Sequence, residues 1–229
     1  MISIDAKREN RAAIIPMVFN QESCIDLFEK MPAEALKRGD IIYWDHQLVK
    51  HVYLVTKGMV KVFSVHQEKE MLEDYFQAGE ILNPSILLDA QTEGHTAIAI
   101  TSGVEIRKLP LSLFNQAIQS NTHLYKEVLL NINASLQRAQ ARLHRITLLS
   151  AHERVLHFLT RYAQKSGRRV GFEYVIKPVL THQEIGSIAG VGRQTVTTVL
   201  NELRRDGLIH FTRRYLIVRD LEALKKRSK

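Results

Sequence analysis

Four polar side chains close together carry the clearest chemistry in this sequence: Arg193, Gln194, Thr197 and Thr198. An arginine fork can bond two acceptors on guanine, and a glutamine amide can pair with the edge of adenine. A threonine can reach a base edge, a thymine methyl or a phosphate oxygen. Interleaved with them, Val196, Val199, Leu200 and Leu203 follow the helical period. Burying that stripe turns all four polar side chains to the opposite, solvent-facing side.

A helix must hold them, and a second helix must hold that one. Thr181 followed by Glu184 three residues on reads as a capping box, with Pro178 just upstream. Ile185, Ile188 and Ala189 give the first helix one apolar face. Gly186 is small enough for a second helix to approach, and Gly190 suits the reversal between them, where positive φ is needed. The expected unit is a helix-turn-helix, whose second helix enters the major groove of DNA. Downstream of Gly207, Leu208–Phe211 and Tyr215–Val218 flank Thr212-Arg213-Arg214, which reads as a hairpin with a basic tip. Thr181, Arg213 and Arg214 join the four helix residues as candidate DNA contacts. The plainer alternatives are a helical hairpin with a polar outer face and a solvated basic turn.

The charge distribution favours the first reading. The 229-residue chain has a net charge of +8. Residues 1–150 hold 16 Lys and Arg against 17 Asp and Glu, whereas residues 151–229 hold 16 against 7. The whole positive excess therefore lies with the helix-turn-helix, as phosphate-backbone binding requires. A hydrophobic content of 45% is that of a globular chain. No apolar run approaches the roughly 18 residues of a membrane span, and the first residues lack a signal-peptide core. The single cysteine, Cys24, excludes an intrachain disulfide and a four-cysteine cluster. A cytoplasmic protein without a membrane partner is the expectation.

Upstream, residues 36–109 look like short strands punctuated by glycines: Ile41–Trp44, His51–Val55, Val60–Phe63 and Ala97–Ile100. This is the spacing of a β-sandwich or barrel. Leu111–Ile118 reads as a short helix, and a long one begins near Thr122. Along it, Tyr125, Leu129, Ile132, Leu136, Ala139, Leu143 and Ile146 recur at alternating spacings of 4 and 3. That seam is the mark of a parallel coiled coil and predicts a homodimer. Val128 and Leu130 are expected to pack on the helix's own domain. A second capping box, Ser150 with Glu153, places a break after Leu149. Gly167–Gly171 reads as a flexible basic loop and Glu173–Ile176 as a strand. The expected division is a sensor domain over 1–120, a dimerisation helix over 121–149 and a winged helix-turn-helix over 150–229.

A β-roll, a long dimer helix, a capped hinge and a winged helix-turn-helix, in that order, resemble the Crp/Fnr family of bacterial transcription regulators. The resemblance spans residues 25–220. It is most specific from Thr181-His-Gln-Glu-Ile-Gly through Arg193-Gln-Thr-Val to Gly207-Leu-Ile209. It implies an α+β fold whose N-terminal domain is a jelly-roll, or double-stranded β-helix, of the cyclic-nucleotide-binding type. It also implies a homodimer on a palindromic double-stranded operator, an effector received in the roll, and in many members a contact with RNA polymerase. The family's usual recognition helix carries Arg-Glu-Thr-Val and a second arginine. Here Gln194 replaces the glutamate and Thr198 stands where the second arginine would be, so a different half-site is expected.

The sensor departs further. Family members that bind cyclic nucleotides have a Gly-Glu-Leu segment and an Arg-Ser pair around ribose and phosphate. Here Asn83-Pro84-Ser85 and His95-Thr96 occupy those places. Histidine does not replace the permanent arginine fork, so cyclic AMP is not the expected effector. By the same correspondence, Leu82, Asn83, Ser85, His95, Thr96, Lys126, Ala139 and Gln140 are the candidate effector pocket. The iron–sulfur type is excluded by the cysteine count, and no cofactor is identified. Ala13-Ile-Ile-Pro16 with Phe19 resembles members responding to halogenated aromatic acids. A small organic acid on His95 or Lys126, or no effector at all, are the readings left. Two rivals complete the field. One is a cupin-like metal enzyme using His46, His51 and His66, which lacks a close His-x-His pair. The other is a ligand-binding module with no role on DNA. No metal site and no catalytic residues are expected.

Overall fold

The computed structural model describes residues 22–45, 48, 50–82, 94–177, 179–212 and 214–227. Helix α1 (Glu22–Glu29) leads into eight strands: β1 (Ala33–Leu36), β2 (Ile41–Tyr43), β3 (His51–Lys57), β4 (Met59–His66), β5 (Lys69–Gln77), β6 (Ile81–Leu82), β7 (Thr96–Ala99) and β8 (Val104–Pro110). They form two four-stranded antiparallel sheets, ordered β1-β8-β3-β6 and β2-β7-β4-β5. Tyr43, Tyr53, Val55, Val60, Val62, Phe76, Leu82 and Ile106 fill the space between them. The strand β3 is buried on both faces, which is why it does not alternate. Tyr53 and Val55 point into the roll, while Val52 and Leu54 pack on Phe28, Phe114, Leu124 and Val128 of the helices outside it. The tight turn between β4 and β5 places Gln67 and Glu68 at positive φ, the geometry that matches strand twist in a two-residue hairpin.

The strands expected at residues 41–44, 51–55, 60–63 and 97–100 all form, most within a residue or two at their ends, while β4 runs three residues further, to His66. The stretch 36–109 read as short strands also holds β5, β6 and most of β8. The strand β5 carries Glu70, Glu73 and Asp74, which break any apolar alternation, and it is held by its pairing with β4 over their whole length.

Helix α2 (Leu111–Ser120) precedes α3 (Thr122–Leu148), whose first turn is capped by the Asn121 side chain accepting from the N–H groups of His123 and Leu124 at 2.9 and 3.2 Å. Val128 packs on the roll as expected, but Leu130 is exposed. The seam residues Tyr125, Leu129, Leu136, Leu143 and Ile146 are between 46% and 64% exposed in the single chain, an uncovered apolar stripe. On its other side α3 is tied to β5. Asp74 accepts from Arg138 (2.7 Å) and from the Ser135 hydroxyl (3.0 Å), and Arg142 donates to the Leu72 carbonyl.

The C-terminal part comprises α4 (Ala151–Ser166), β9 (Gly167–Val170), β10 (Glu173–Ile176), α5 (His182–Ala189), α6 (Arg193–Arg205), β11 (Ile209–Phe211), β12 (Leu216–Val218) and α7 (Leu221–Arg227). Its sheet runs β11-β12-β10-β9. The segment read as a loop after Gly167 is instead an edge strand, since its backbone pairs with β10 despite the exposed arginines. The core is Val155, Leu156, Leu159 and Ala163 of α4 against the apolar stripes of α5 and α6. Met59, Leu72 and Ile100 of the roll belong to that same core. Two ion pairs border the junction: Arg38 with Glu184, and Lys165 with Glu80 at 2.9 Å.

One guanidinium joins the parts. Arg154 donates to the carbonyls of Leu149 (2.8 Å), Ala189 (3.1 Å) and Gly190 (3.1 Å), and at 3.5 Å to that of Ile146. It thereby fastens the end of α3 to the turn between α5 and α6. Arg154→Ala should cost about 2 kcal/mol in chemical denaturation, because several carbonyls lose a charged donor at once. Arg154→Lys should restore only part of this, since one ammonium cannot span both segments.

His157 on α4 adds a pH dependence. Burial first, then Arg145 and Arg161, lower its pKa from 6.5 to about 4. A folded-state pKa below the unfolded one means that, on acidification, the unfolded chain takes up a proton that the folded chain refuses. Stability is therefore full above pH 6.5 and falls as pH drops from there towards about 4. The loss should be about 1–2 kcal/mol after allowing for solvent screening of this half-buried ring. Denaturation at a series of pH values should show that slope, flattened in His157→Gln.

Candidate nucleic-acid interface

The two capping boxes form as bonded pairs. At α5, the Thr181 N–H donates to Glu184 (2.6 Å) while the Glu184 N–H donates to the Thr181 hydroxyl (3.2 Å). At α4, Ser150 and Glu153 do the same at 2.7 and 3.3 Å. The turn then reverses at Gly190, with φ +67° and ψ +40°, a left-handed conformation that glycine adopts without strain. A Cβ on Gly186 would lie 2.7 Å from the Val191 carbonyl, so the tight turn leading into α6 needs glycine there as well. The N–H of Val191 donates to the Gly186 carbonyl at 2.9 Å and closes the turn.

With α6 seated by Val196, Val199, Leu200 and Leu203, each no more than 2% exposed, its outer face is set. Arg193, Gln194 and Thr198 are exposed and Thr197 is half-buried. All four residues chosen for their chemistry thus share one face, which Asn201 extends one turn further. The structure refines what the threonines can do. The Thr197 hydroxyl donates to the Arg193 carbonyl (3.0 Å), and the Thr198 hydroxyl to that of Gln194 (3.1 Å). Their hydrogens are committed within the helix, leaving an acceptor lone pair and a methyl to face outward.

His182 was missed by sequence reasoning. Its Nδ1 lies 2.8 Å from the Thr197 oxygen. With the Thr197 hydroxyl turned to the Arg193 carbonyl, the ring tautomer that carries its hydrogen on Nδ1 completes the pair. Burial first, then Arg193, lower the pKa of His182, which keeps the ring neutral. Phe211 packs edge-on against it with centroids 5.9 Å apart, and Arg204 lies over the same Phe211 ring. A chain of contacts thus runs from the basic hairpin to the recognition face. No local pattern signals it, because His182 and Thr197 belong to different helices.

The hairpin itself forms by antiparallel pairing of β11 with β12. Arg214 is exposed at its tip, where its N–H donates to the Thr212 hydroxyl at 3.2 Å. Arg213 lies outside the described residues. The described candidate effector residues differ in burial. Leu82 is fully buried within the roll core, and the Thr96 hydroxyl accepts from the Asp45 N–H at 3.2 Å. Lys126, Ala139 and Gln140 are exposed along α3 and His95 is half-buried, while Asn83 and Ser85 fall outside the described residues. So do His46 of the cupin-like alternative and the segment 13–19. Leu82 is a core residue because it pairs with Tyr53 of β3, which turns its side chain into the roll. Among the described residues, no three His, Cys, Asp or Glu are grouped to hold a metal ion, and no helix is long and apolar enough to cross a membrane.

Comparison with known proteins agrees with this architecture. Residues 33–121 match the cyclic nucleotide-binding domain family, and residues 153–227 match the Crp-like helix-turn-helix domain family. The chain is 26% identical over 168 residues to a cAMP-activated global transcriptional regulator of Haemophilus influenzae, covering 73% of this chain and 75% of that protein. It is 24% identical over 212 residues to the global nitrogen regulator of Synechococcus elongatus, covering 88% and 95%. The structure of FixK2 from Bradyrhizobium japonicum superposes with a TM-score of 0.72 at 18% identity, over 86% of this chain and 96% of that one. A roll of the cyclic-nucleotide-binding type, a long helix and a Crp-like helix-turn-helix in one chain mean that this protein belongs to the Crp/Fnr family, as a DNA-binding transcription regulator and not an enzyme.

Proposed function

We propose that this regulator acts as a homodimer on a two-fold symmetric operator, with α6 of each protomer in the major groove. The observation that carries the reading is the exposed face of α6, held by a fully buried opposite face. Arg193 takes a guanine edge and Gln194 an adenine. Thr197 and Thr198 meet the bases through methyl groups and acceptor oxygens, because their hydrogens are already bonded. Thr181 keeps its hydroxyl hydrogen for a phosphate, since it serves the helix cap as acceptor. Arg213 and Arg214 contact the neighbouring backbone.

The seam from Tyr125 to Ile146, apolar and uncovered in the single chain, is the dimer interface. Pairing there sets the two recognition helices one DNA turn apart, about 34 Å. In this reading the chain divides into a sensor over 1–120, a dimerisation helix over 121–149 and a DNA-binding domain over 150–229. It works in the cytoplasm and reaches RNA polymerase as the family does. The effector is not cyclic AMP, because His95 and Thr96 stand where a phosphate clamp would need an arginine.

An operator selected from random DNA provides the test. Arg193→Ala should weaken binding to it by about 10- to 100-fold, the worth of one bidentate base contact, and leave the dimer intact. Leu143→Glu should give monomers in sedimentation and lose operator binding with them. Unchanged affinity in the first variant, or a persistent dimer in the second, would refute the corresponding assignment. Cyclic AMP, even at millimolar concentration, should leave the melting temperature of the full chain unchanged. A ligand that binds the folded state raises it.

A further inference from the structure

Two adjacent threonines on the outer face of α6 have different surroundings. Each hydroxyl donates to the carbonyl four residues back, Thr197 to Arg193 at 3.0 Å and Thr198 to Gln194 at 3.1 Å. A helical threonine reaches such a carbonyl from either of two rotamers, and these put its methyl in different places. Thr198 is exposed and, among the described residues, has no second partner. Thr197 is half-buried and has one, because Nδ1 of His182 lies 2.8 Å from its oxygen.

The histidine ring is itself held in place. His182 is the first residue of α5, directly after the Thr181 cap. Phe211 of β11 packs against the ring edge-on, with centroids 5.9 Å apart. The Arg204 guanidinium of α6 covers Phe211 from 5.2 Å. Three elements therefore fix where Nδ1 stands. A neutral ring with its hydrogen on Nδ1 donates to Thr197, and so does a protonated ring. The contact thus persists through the titration of the ring. One threonine rotamer satisfies both His182 and the Arg193 carbonyl, whereas the other moves the oxygen away from Nδ1.

We propose, resting on the placement of α6 in the major groove, that His182 is a positioning residue for base recognition: it locks Thr197 in one rotamer, so that this threonine meets the DNA with its methyl and selects thymine. The hydroxyl hydrogen of Thr197 is spent on Arg193 and one lone pair on His182, which leaves the methyl as its main recognition group. In the major groove thymine alone offers a methyl for apolar contact. Thr198, with no such neighbour, keeps both rotamers and discriminates less. His182 acts through Thr197 and not on the DNA itself.

Replacing each thymine of the selected operator by deoxyuridine, one at a time, removes only the C5 methyl and tests this with the full-length protein. At one thymine of the half-site the parent should lose affinity by about fourfold, the worth of one buried methyl. His182→Ala should shrink that loss below about twofold. His182→Asn should restore it, because its amide nitrogen can stand where Nδ1 does. Thr197→Ser, without the methyl, should show no loss. Thr197→Val carries a methyl at both places, so it should keep the loss whether or not His182→Ala is added. Nitrogen-15 NMR of the free protein should find a hydrogen on Nδ1 of His182. A hydrogen on Nε2 alone, a deoxyuridine loss that His182→Ala leaves intact, or a Thr197→Val loss that His182→Ala abolishes would overturn the proposal. The NMR measurement needs no DNA, and Arg193→Ala tests the placement of α6 by itself, so the two failures are distinguishable.

Discussion

The guanidinium of Arg154 is the constraint on which the placement of the recognition helix depends. It sits near the start of α4 and holds carbonyls at the end of α3 and at the turn between α5 and α6. Both sets are helix-terminal acceptors that have lost their intrahelical partners. One rigid, permanently charged fork satisfies them together, which a flexible ammonium would not. Ile146 reinforces the joint from the other side, its side chain lying 3.5 Å from where a Cβ on Gly190 would be. The last residue of the apolar seam therefore touches the turn that aims α6, and a shift of the α3 end carries that turn with it.

The hydrophobic cores follow the same logic. Two of them belong to the roll, one inside it and one between its outer sheet and the helices α1, α2 and α3. The third belongs to the DNA-binding domain but takes in Met59, Leu72 and Ile100 from the roll. The roll and the DNA-binding domain thus share buried apolar surface, and Arg38 with Glu184 and Lys165 with Glu80 border it. Glu184 has two tasks: it completes the α5 capping box and receives Arg38 from the roll. The cap of the first helix of the helix-turn-helix is thereby tied to the roll.

How far the structure is legible in the sequence depends on the range of each interaction. The capping boxes at Ser150 and Thr181 are legible because donor and acceptor are three residues apart. The apolar stripe of α6 and the seam of α3 are legible because helical periodicity is local. The strand β5 is not, since its acidic residues face α3 and solvent and it is held by pairing with β4. Nor is the edge strand β9, whose exposed arginines look like a loop until β10 pairs with them. Leu82 is drawn into the core by its pairing with Tyr53, which no local pattern announces.

The sequence by itself determined the order of the elements, the segregation of positive charge into residues 151–229 and the identity of the side chains on the reading face. Each of these rests on residues within a turn or two of one another, or on composition. The tertiary structure alone decided which atoms of those side chains remain free for a partner. His182 reaches Thr197 from another helix, and Arg154 joins segments far apart in the chain. Hydrogen bonds and charge balance between distant segments depend on where the chain returns to itself, and no local pattern encodes that.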